Sequence, residues 1–349
     1  MTKLTREDRI KTVFGGGGHV VILGAGASIA STIRNPELGG KKLPSMDNFI
    51  EIVGLEDIVA SLDKDLNTKN FEIIYSHLFQ QNPRSKEIIE IEKRVSKYFS
   101  DMRLPEEPTI YDLLVLSLRP RDLIATFNWD PFLFQAFSRN RAFTKESPYL
   151  AFLHGSVAIG YSKEDKKAGP AGMYARRDGG YFEPTKLLYP VKEKNYTSDE
   201  FISKEWERLK YWIHDKSTKL VTVFGYGAPD TDMEAVKLLD EAYGGKDSRN
   251  MEQFEIIDIQ EEETVVTRWH KFIHSHHYDY SNDYFESLLA LDPRRTSESY
   301  FQHYLPSSPA EAFSESNPVP RDINTMKDLW EWHQPLIDAE EKWKMGNGK

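Results

Sequence analysis

The stretch HVVILGAGAS, residues 19–28, decides the fold class of this chain. Its first half is almost uniformly apolar and β-branched, which is typical of a parallel strand buried on both faces. Small residues follow at once, from Gly24 to Ser28, so that the chain can turn tightly and start a helix whose amide groups approach a phosphate. The stretch predicts an α/β protein with a nucleotide-type site at a strand end.

Four further segments have the same design, a short apolar run that ends in small or polar residues. They lie at 122–130, 149–156, 219–230 and 254–260, and the last of them is the final strand that the pattern indicates. The carboxyl ends of parallel strands open into one crevice. We therefore predict a site formed by Gly24, Ala25, Gly26, Ser28, Thr126, Asn128, Asp130, His154, Gly225, Tyr226, Gly227 and Asp258.

The glycine turn differs from the dinucleotide fingerprint of dehydrogenases. That fingerprint has a third glycine three positions after Gly26, and this chain has Ile29 there. The difference weakens a hydride-transfer interpretation. At the last strand, Asp258 or Gln260 is placed to hydrogen-bond an adenosine ribose or an adenine edge.

The composition of the chain limits which classes of function are possible. The chain has 45 Lys plus Arg against 55 Asp plus Glu, a formal net charge of −10, and it contains no cysteine. The acidic balance argues against direct nucleic-acid binding. The lack of cysteine excludes disulfides, thiol catalysis and cysteine-based metal sites. No signal-peptide core and no apolar run of membrane-spanning length is visible, so we expect a cytoplasmic protein without a membrane partner.

The length of 349 residues allows one elaborated domain or two. We favour one main domain over 1–290 with a helical insertion at about 45–118, followed by a C-terminal extension over 291–349. The loop at 34–45 is a candidate lid, and 161–195 reads as a mobile flap or a small irregular subdomain. From 291 onward, Pro and Ser enrichment suggests a linker or an irregular arm, followed by a Trp-rich helix at 326–343 that packs or docks a partner.

The ordered set GAGAS, Thr126-x-Asn128-x-Asp130, His154-Gly155 and GYGAPDTD resembles the sirtuin pattern over roughly residues 18 to 260. The four zinc cysteines of the protein deacylases are missing, and Leu43, Pro44 and Ser45 stand where those enzymes carry G-I-P-D-F-R. The chain therefore resembles the divergent sirtuin-like NAD hydrolases of bacterial antiviral defence. The resemblance implies a Rossmann-like doubly wound parallel sheet, NAD as the substrate, a homo-oligomer and a defence-system partner.

The candidate catalytic residues suit cleavage of the nicotinamide bond. Nicotinamide leaves NAD as a cationic group that needs no added proton, so the enzyme must stabilise an oxocarbenium-like ribose and supply a nucleophile. Asn128 can position a water or hold the ribose hydroxyls, and His154 can accept a proton near neutral pH. Asp130 can fix the Asn128 loop or lie near the developing positive charge.

Other interpretations of these residues stay open. Asn128 and Asp130 can be helix caps, and His154 can be a structural hydrogen-bonding residue. The histidines at 270, 274, 276 and 277 have a partial metal-ligand spacing, but we assign no metal. Ser156 lies in no nucleophile-elbow pattern. The alternative functions are a module that senses NAD or an ADP-ribose derivative without turnover, and a zinc-free protein deacylase or ADP-ribosyltransferase.

Overall fold

The computed structural model describes residues 5–32, 42–60, 62, 68–175, 179–191, 196, 199–228, 232–245, 249, 253–274, 278–303 and 316–347. Its strands, in chain order, are β1 (Gly18–Leu23), β2 (Leu123–Thr126), β3 (Tyr149–Phe152), β4 (Ile159–Ser162), β5 (Lys167–Pro170), β6 (Glu183–Pro184), β7 (Thr218–Phe224), β8 (Gln253–Ile257) and β9 (Tyr278–Ser281).

The helices are α1 (Arg6–Lys11), α2 (Ala25–Thr32), α3 (Phe49–Val53), α4 (Glu56–Ala60), α5 (Phe71–Gln81), α6 (Lys86–Ser100), α7 (Ile110–Ser117), α8 (Phe132–Asn140), α9 (Glu200–His214), α10 (Met233–Tyr243), α11 (Glu262–Trp269), α12 (Leu288–Leu291), α13 (Thr296–His303) and α14 (Met326–Gly346), with a 3-10 helix at Tyr284–Glu286. Helices α3 to α7 occupy the stretch in which an insertion was predicted.

A six-stranded parallel sheet in the order β3-β2-β1-β7-β8-β9 forms the centre of the protein. The chain runs outward from β1 to β3 and returns to β7 on the other side of β1, so the strand order reverses between β1 and β7. Helices cover both sides of the sheet. The predicted fold class, a Rossmann-like doubly wound sheet with a helical insertion and a C-terminal helical extension, is confirmed.

The hydrophobic pattern explains the central strands. All six residues of β1 and all five of β8 are buried, as expected for parallel strands that are covered on both faces. The prediction that β8 is the last strand is wrong, because β9 extends the sheet beyond it. Its sequence YDYS has a single buried residue, Ser281, so it carries no apolar run that could have revealed it.

The stretch predicted as a flap or an irregular subdomain contains a small antiparallel sheet. Its strand order is β5-β4-β6, and β4 is fully buried while β5 and β6 are mostly exposed. Gly160 on β4 lies so close to the backbone of Phe182 and Glu183 that a side chain would not fit between the strands. The sheet follows directly after the strand end that carries His154.

The interpretation of the chain after residue 291 as a linker or irregular arm is wrong for residues 292–303. Arg294 and Arg295 are both 1% exposed, and their guanidinium groups donate to the carboxylate of Glu340 on α14. Arg294 also donates to the carbonyl oxygens of Leu116 and Leu118, so the start of this segment is joined both to α14 and to the body of the protein. On α14, the Trp330 ring stacks on Phe143, so part of the Trp-rich helix has a packing role.

The outer edge of β3 is closed by two side chains of α9. Glu205 accepts a hydrogen bond from the Phe152 amide at 2.9 Å, and Arg208 donates to the Leu150 carbonyl oxygen at 3.1 Å. Backbone groups that would otherwise stay unpaired at a sheet edge are satisfied in this way. Separately, no helix within the described part of the chain has the length and apolar character needed to cross a bilayer.

Candidate functional site

A cavity of about 320 Å³ lies at the carboxyl edge of the sheet, where the strand order reverses. This volume is at the lower end of the range that small-molecule sites occupy. Nine of the twelve predicted site residues line the cavity: Gly24, Ala25, Ser28, Asn128, Asp130, His154, Gly225, Tyr226 and Gly227. The structure thus brings together side chains and backbone from the ends of β1, β2, β3 and β7.

The remaining three predicted residues lie outside the cavity lining. Gly26 packs behind Gly24 against Gly225, and the buried Thr126 hydroxyl accepts a hydrogen bond from the backbone N–H of Asn128 at 3.0 Å. These two residues support the site from behind. Asp258 follows β8, and its carboxylate accepts hydrogen bonds from the backbone and side chain of Gln260.

Glycines allow the ends of β1 and β7 to approach each other backbone to backbone. A Cβ atom on Gly26 would lie 2.8 Å from the Gly225 Cα atom, and one on Gly24 would overlap the Gly225 carbonyl oxygen. Gly225 also has a φ of +60°, a conformation that favours glycine. The same lack of side chains exposes the backbone of the cavity wall to a ligand.

Hydrogen bonds fix the orientation of the Asn128 amide group. Its nitrogen donates to the Gly24 carbonyl oxygen at 2.7 Å and lies 2.9 Å from Ser28 Oγ and 3.2 Å from the Tyr111 hydroxyl. A carbonyl oxygen can only accept, so the nitrogen and not the oxygen of the amide must face Gly24. Among the described residues, none donates to Asn128 Oδ1. This acceptor is therefore available to a ligand in the cavity.

Asp130 is a buried carboxyl group beside Asn128. One of its oxygens accepts from Ser28 Oγ at 2.7 Å, and the other accepts from the Phe132 amide at 3.1 Å at the start of α8. Asp130 therefore accepts from the first amide of α8 and also fixes Ser28, one of the partners of Asn128. Burial raises the pKa of Asp130 to about 6, against the hydrogen bonds from Ser28 and Phe132 that lower it.

His154 follows β3 and belongs to a chain of polar contacts that crosses the cavity wall. Its Nε2 lies 3.2 Å from the Tyr196 hydroxyl, which donates to Asp232 Oδ1 at 2.9 Å. The Tyr226 hydroxyl donates to the other oxygen of Asp232 at 2.7 Å. The His154 ring also packs edge-on against Phe127 at a centroid distance of 4.8 Å. The ring is held by aromatic packing and by hydrogen bonding together.

Sequence reasoning missed three polar residues of the site: Tyr111, Tyr196 and Asp232. Asp232 precedes α10, but its side chain makes no capping hydrogen bond there and accepts from the two tyrosine hydroxyls Tyr196 and Tyr226 instead. The GYGAPDTD segment did place it near the strand end. No comparable signal marks Tyr111 or Tyr196, which reach the site from α7 and from the segment before α9.

The cavity also has an apolar wall from the helical insertion, which the sequence did not reveal. Trp129 is packed edge-on by Phe49 and Phe99, at centroid distances of 6.3 and 5.9 Å. One carboxylate, Glu72 on α5, interrupts this wall. The apolar lining residues include Ile29, Leu43, Pro44, Met46, Phe49, Phe99, Trp129, Leu188 and Pro190. Such a wall suits a flat, weakly polar ring.

Two expectations fall wholly or partly on segments that the structure does not describe. Of the candidate lid at 34–45, residues 34–41 lie outside the described residues, while Leu43 and Pro44 reach the cavity. His276 and His277 lie outside them too. His270 Nδ1 is 2.7 Å from the Thr267 carbonyl oxygen. Within the described segments, no three His, Asp or Glu side chains are grouped to hold a metal ion.

No family model and no curated protein matches this chain. Solved structures of Sir2 homologues align with it at low identity. A serine-to-alanine variant in complex with ADP-ribose is 12% identical over 96% of both chains, with a TM-score of 0.41. An NAD complex is 13% identical over 84% of this chain and 93% of its own, with a TM-score of 0.43. At TM-scores this low, these alignments carry no argument, and the fold class rests on the sheet topology described above.

Proposed function

We propose that this protein hydrolyses NAD at the bond between nicotinamide and ribose, giving nicotinamide and ADP-ribose. One observation carries the proposal: Asn128, His154 and the glycine backbone of two strand ends line a single cavity at the point where the strand order reverses. This is where doubly wound sheets bind dinucleotides. The apolar wall around Trp129 supports the proposal, because it offers a surface for the nicotinamide ring.

The glycine backbone is the proposed site of the NAD diphosphate. Gly24, Gly225 and Gly227 face the cavity without side chains, and α2 starts at Ala25. The start of a helix carries a partial positive charge and amide groups that favour an anion. Asp258 stays a proposed contact to the adenosine ribose, further along the same sheet edge.

The proposed reaction needs no external acid. The C1′–N bond of the nicotinamide ribose breaks, and its electron pair neutralises the pyridinium nitrogen of nicotinamide. A water oxygen bonds to C1′, and the water proton passes to the His154 imidazole and then to solvent. Asn128, whose amide nitrogen is held by the Gly24 carbonyl oxygen, uses its Oδ1 to orient that water or a ribose hydroxyl. Asp130, when ionised, stabilises the positive charge that develops on the ribose.

The test is to incubate purified protein with NAD and to quantify nicotinamide and ADP-ribose by chromatography. His154→Ala and Asn128→Ala should each reduce turnover by about 100-fold or more, because each removes a group at the reacting bond. His270→Ala, outside the cavity, is the matched control and should retain full activity. Thermal unfolding checks that every variant is folded.

Each contrary outcome points to a specific alternative. Full turnover in both cavity variants would refute the assigned roles. Tight NAD binding by calorimetry without any product would indicate a sensing module instead. Product that forms only with an acylated peptide or another acceptor would indicate a deacylase or an ADP-ribosyltransferase.

The proposal includes regulation, because an unrestrained NAD hydrolase would deplete the cell that makes it. We propose a cytoplasmic effector of antiviral defence that becomes active as a homo-oligomer or with a defence-system partner protein. Light scattering combined with the NAD assay over a concentration series tests this. Specific activity that rises with the oligomeric fraction is the expected result, and full activity of the monomer would refute it.

A further inference from the structure

We propose that Tyr196 and Asp232 are positioning residues for His154, which they hold in one ring orientation and one tautomer. This inference rests on the proposed function, since it assigns a role to residues around the same base. It starts from the polar chain His154, Tyr196, Asp232, Tyr226, whose members are all between 4% and 7% exposed. Of these residues, the sequence had assigned His154 to catalysis and Tyr226 to ligand binding.

The number of hydrogens available to these polar side chains determines which nitrogen of the His154 imidazole carries the proton. Tyr196 has one hydroxyl hydrogen, and it donates that hydrogen to the Asp232 side chain at 2.9 Å. The contact of 3.2 Å between His154 Nε2 and the Tyr196 oxygen must therefore use a hydrogen on Nε2. In neutral His154 the lone pair is then on Nδ1, the nitrogen to which the proposed function assigns the role of base.

Asp232 fixes the direction of this chain. Both of its oxygens accept phenol hydrogens, from Tyr196 and from Tyr226. Burial and the negative charge of Asp232 raise the pKa of both phenols, so both remain donors throughout the neutral pH range. The Tyr196 ring is in turn held by Trp206 of α9, at a centroid distance of 4.8 Å. Tyr196 is therefore fixed in the position from which its hydroxyl contacts the His154 imidazole.

The charges around His154 determine the expected effect on its titration. Asp232 acts on the imidazole through Tyr196, while Asp130 and Glu72 lie on other walls of the same cavity. The ring neighbours Phe127 and Tyr196 are uncharged at neutral pH. Tyr196→Phe removes the acceptor that stabilises the Nε2 hydrogen of the imidazolium and leaves the other carboxylates unchanged. The substitution should therefore lower the pKa of His154.

The experiment compares Tyr196→Phe and Asp232→Asn with wild type and with Tyr75→Phe. Tyr75 is the matched control, because it is a buried tyrosine that also donates to a carboxylate, Glu92, but lies outside the cavity. Tyr196→Phe and Asp232→Asn should each shift the acidic limb of kcat/KM for NAD to lower pH by about one unit and reduce kcat about tenfold. The control should show neither effect.

A second readout does not depend on turnover. NMR of protein labelled at histidine Cε1 follows the imidazole titrations, and the His154 signal is the one that His154→Ala removes. If wild type does not cleave NAD but Tyr196→Phe lowers this pKa, the proposed function fails and the positioning role stands. An unchanged NMR titration and an unchanged pH profile in both Tyr196→Phe and Asp232→Asn would overturn the positioning role, even in an active hydrolase.

Discussion

Replacing Asp130 by Asn should make the stability of the protein less dependent on pH. Burial raises the pKa of this carboxyl group from 3.8 to about 6. Between these values the folded protein holds a proton that the unfolded chain has released. The stabilising contribution of the protonated group is therefore complete below pH 3.8 and is lost as the pH rises through about 6.

The size of the effect follows from the shift. Roughly two pKa units correspond to about 3 kcal/mol, and Asp130 is buried enough that solvent screening is small. Asparagine cannot ionise, and its oxygen can still accept from the Phe132 amide. The unfolding free energy of the variant minus that of wild type should therefore increase by about 3 kcal/mol between about pH 4 and pH 7.

Urea unfolding of both proteins across this pH range measures the difference directly. Glu255 also has a pKa raised by burial, to about 7, but it is present in both proteins and cancels. A difference that stays constant with pH would refute the reasoning. The same variant should lose NAD turnover while gaining stability at neutral pH, as expected where a site keeps a destabilised charge for its chemistry.

Two further substitutions test the packing of the protein, one at the site and one on α14. Gly225→Ala should lower the unfolding free energy by about 2 kcal/mol or more. A Cβ at this position would overlap the backbone of Gly26 and Ala27, and the positive φ of residue 225 is strained for alanine. A melting temperature equal to that of wild type would contradict this. Glu340→Gln should lower the unfolding free energy by about 3 kcal/mol, because it leaves three buried arginines without the carboxylate they share. Urea unfolding measures this, and a loss below about 1 kcal/mol would show that the arginines find other partners.

The strand ends could be predicted because their signal is local. A buried parallel strand is a continuous apolar run, and the residues that follow it are fixed by the geometry of the sheet, so nine predicted residues line the cavity. Strand β9 lacks that run. Its membership in the sheet depends on pairing with β8, which no pattern within YDYS expresses.

The polar contacts around His154 could not be predicted from the sequence for a different reason. Tyr196 and Asp232 are 36 residues apart, and each is unremarkable in its own segment. Their partnership arises only when the end of β7 and the segment before α9 are brought together. The apolar wall has the same origin, because Phe49 and Phe99 become neighbours of Trp129 only in the folded protein.

The closed edge of β3 restricts how copies of this protein can associate. With Glu205 on the Phe152 amide and Arg208 on the Leu150 carbonyl, a strand from another molecule would have to displace a buried carboxylate and its ion pair before it could bind there. Continuous sheets between subunits are therefore disfavoured on this side. The same closure protects the strand that leads to His154 from edge-to-edge aggregation.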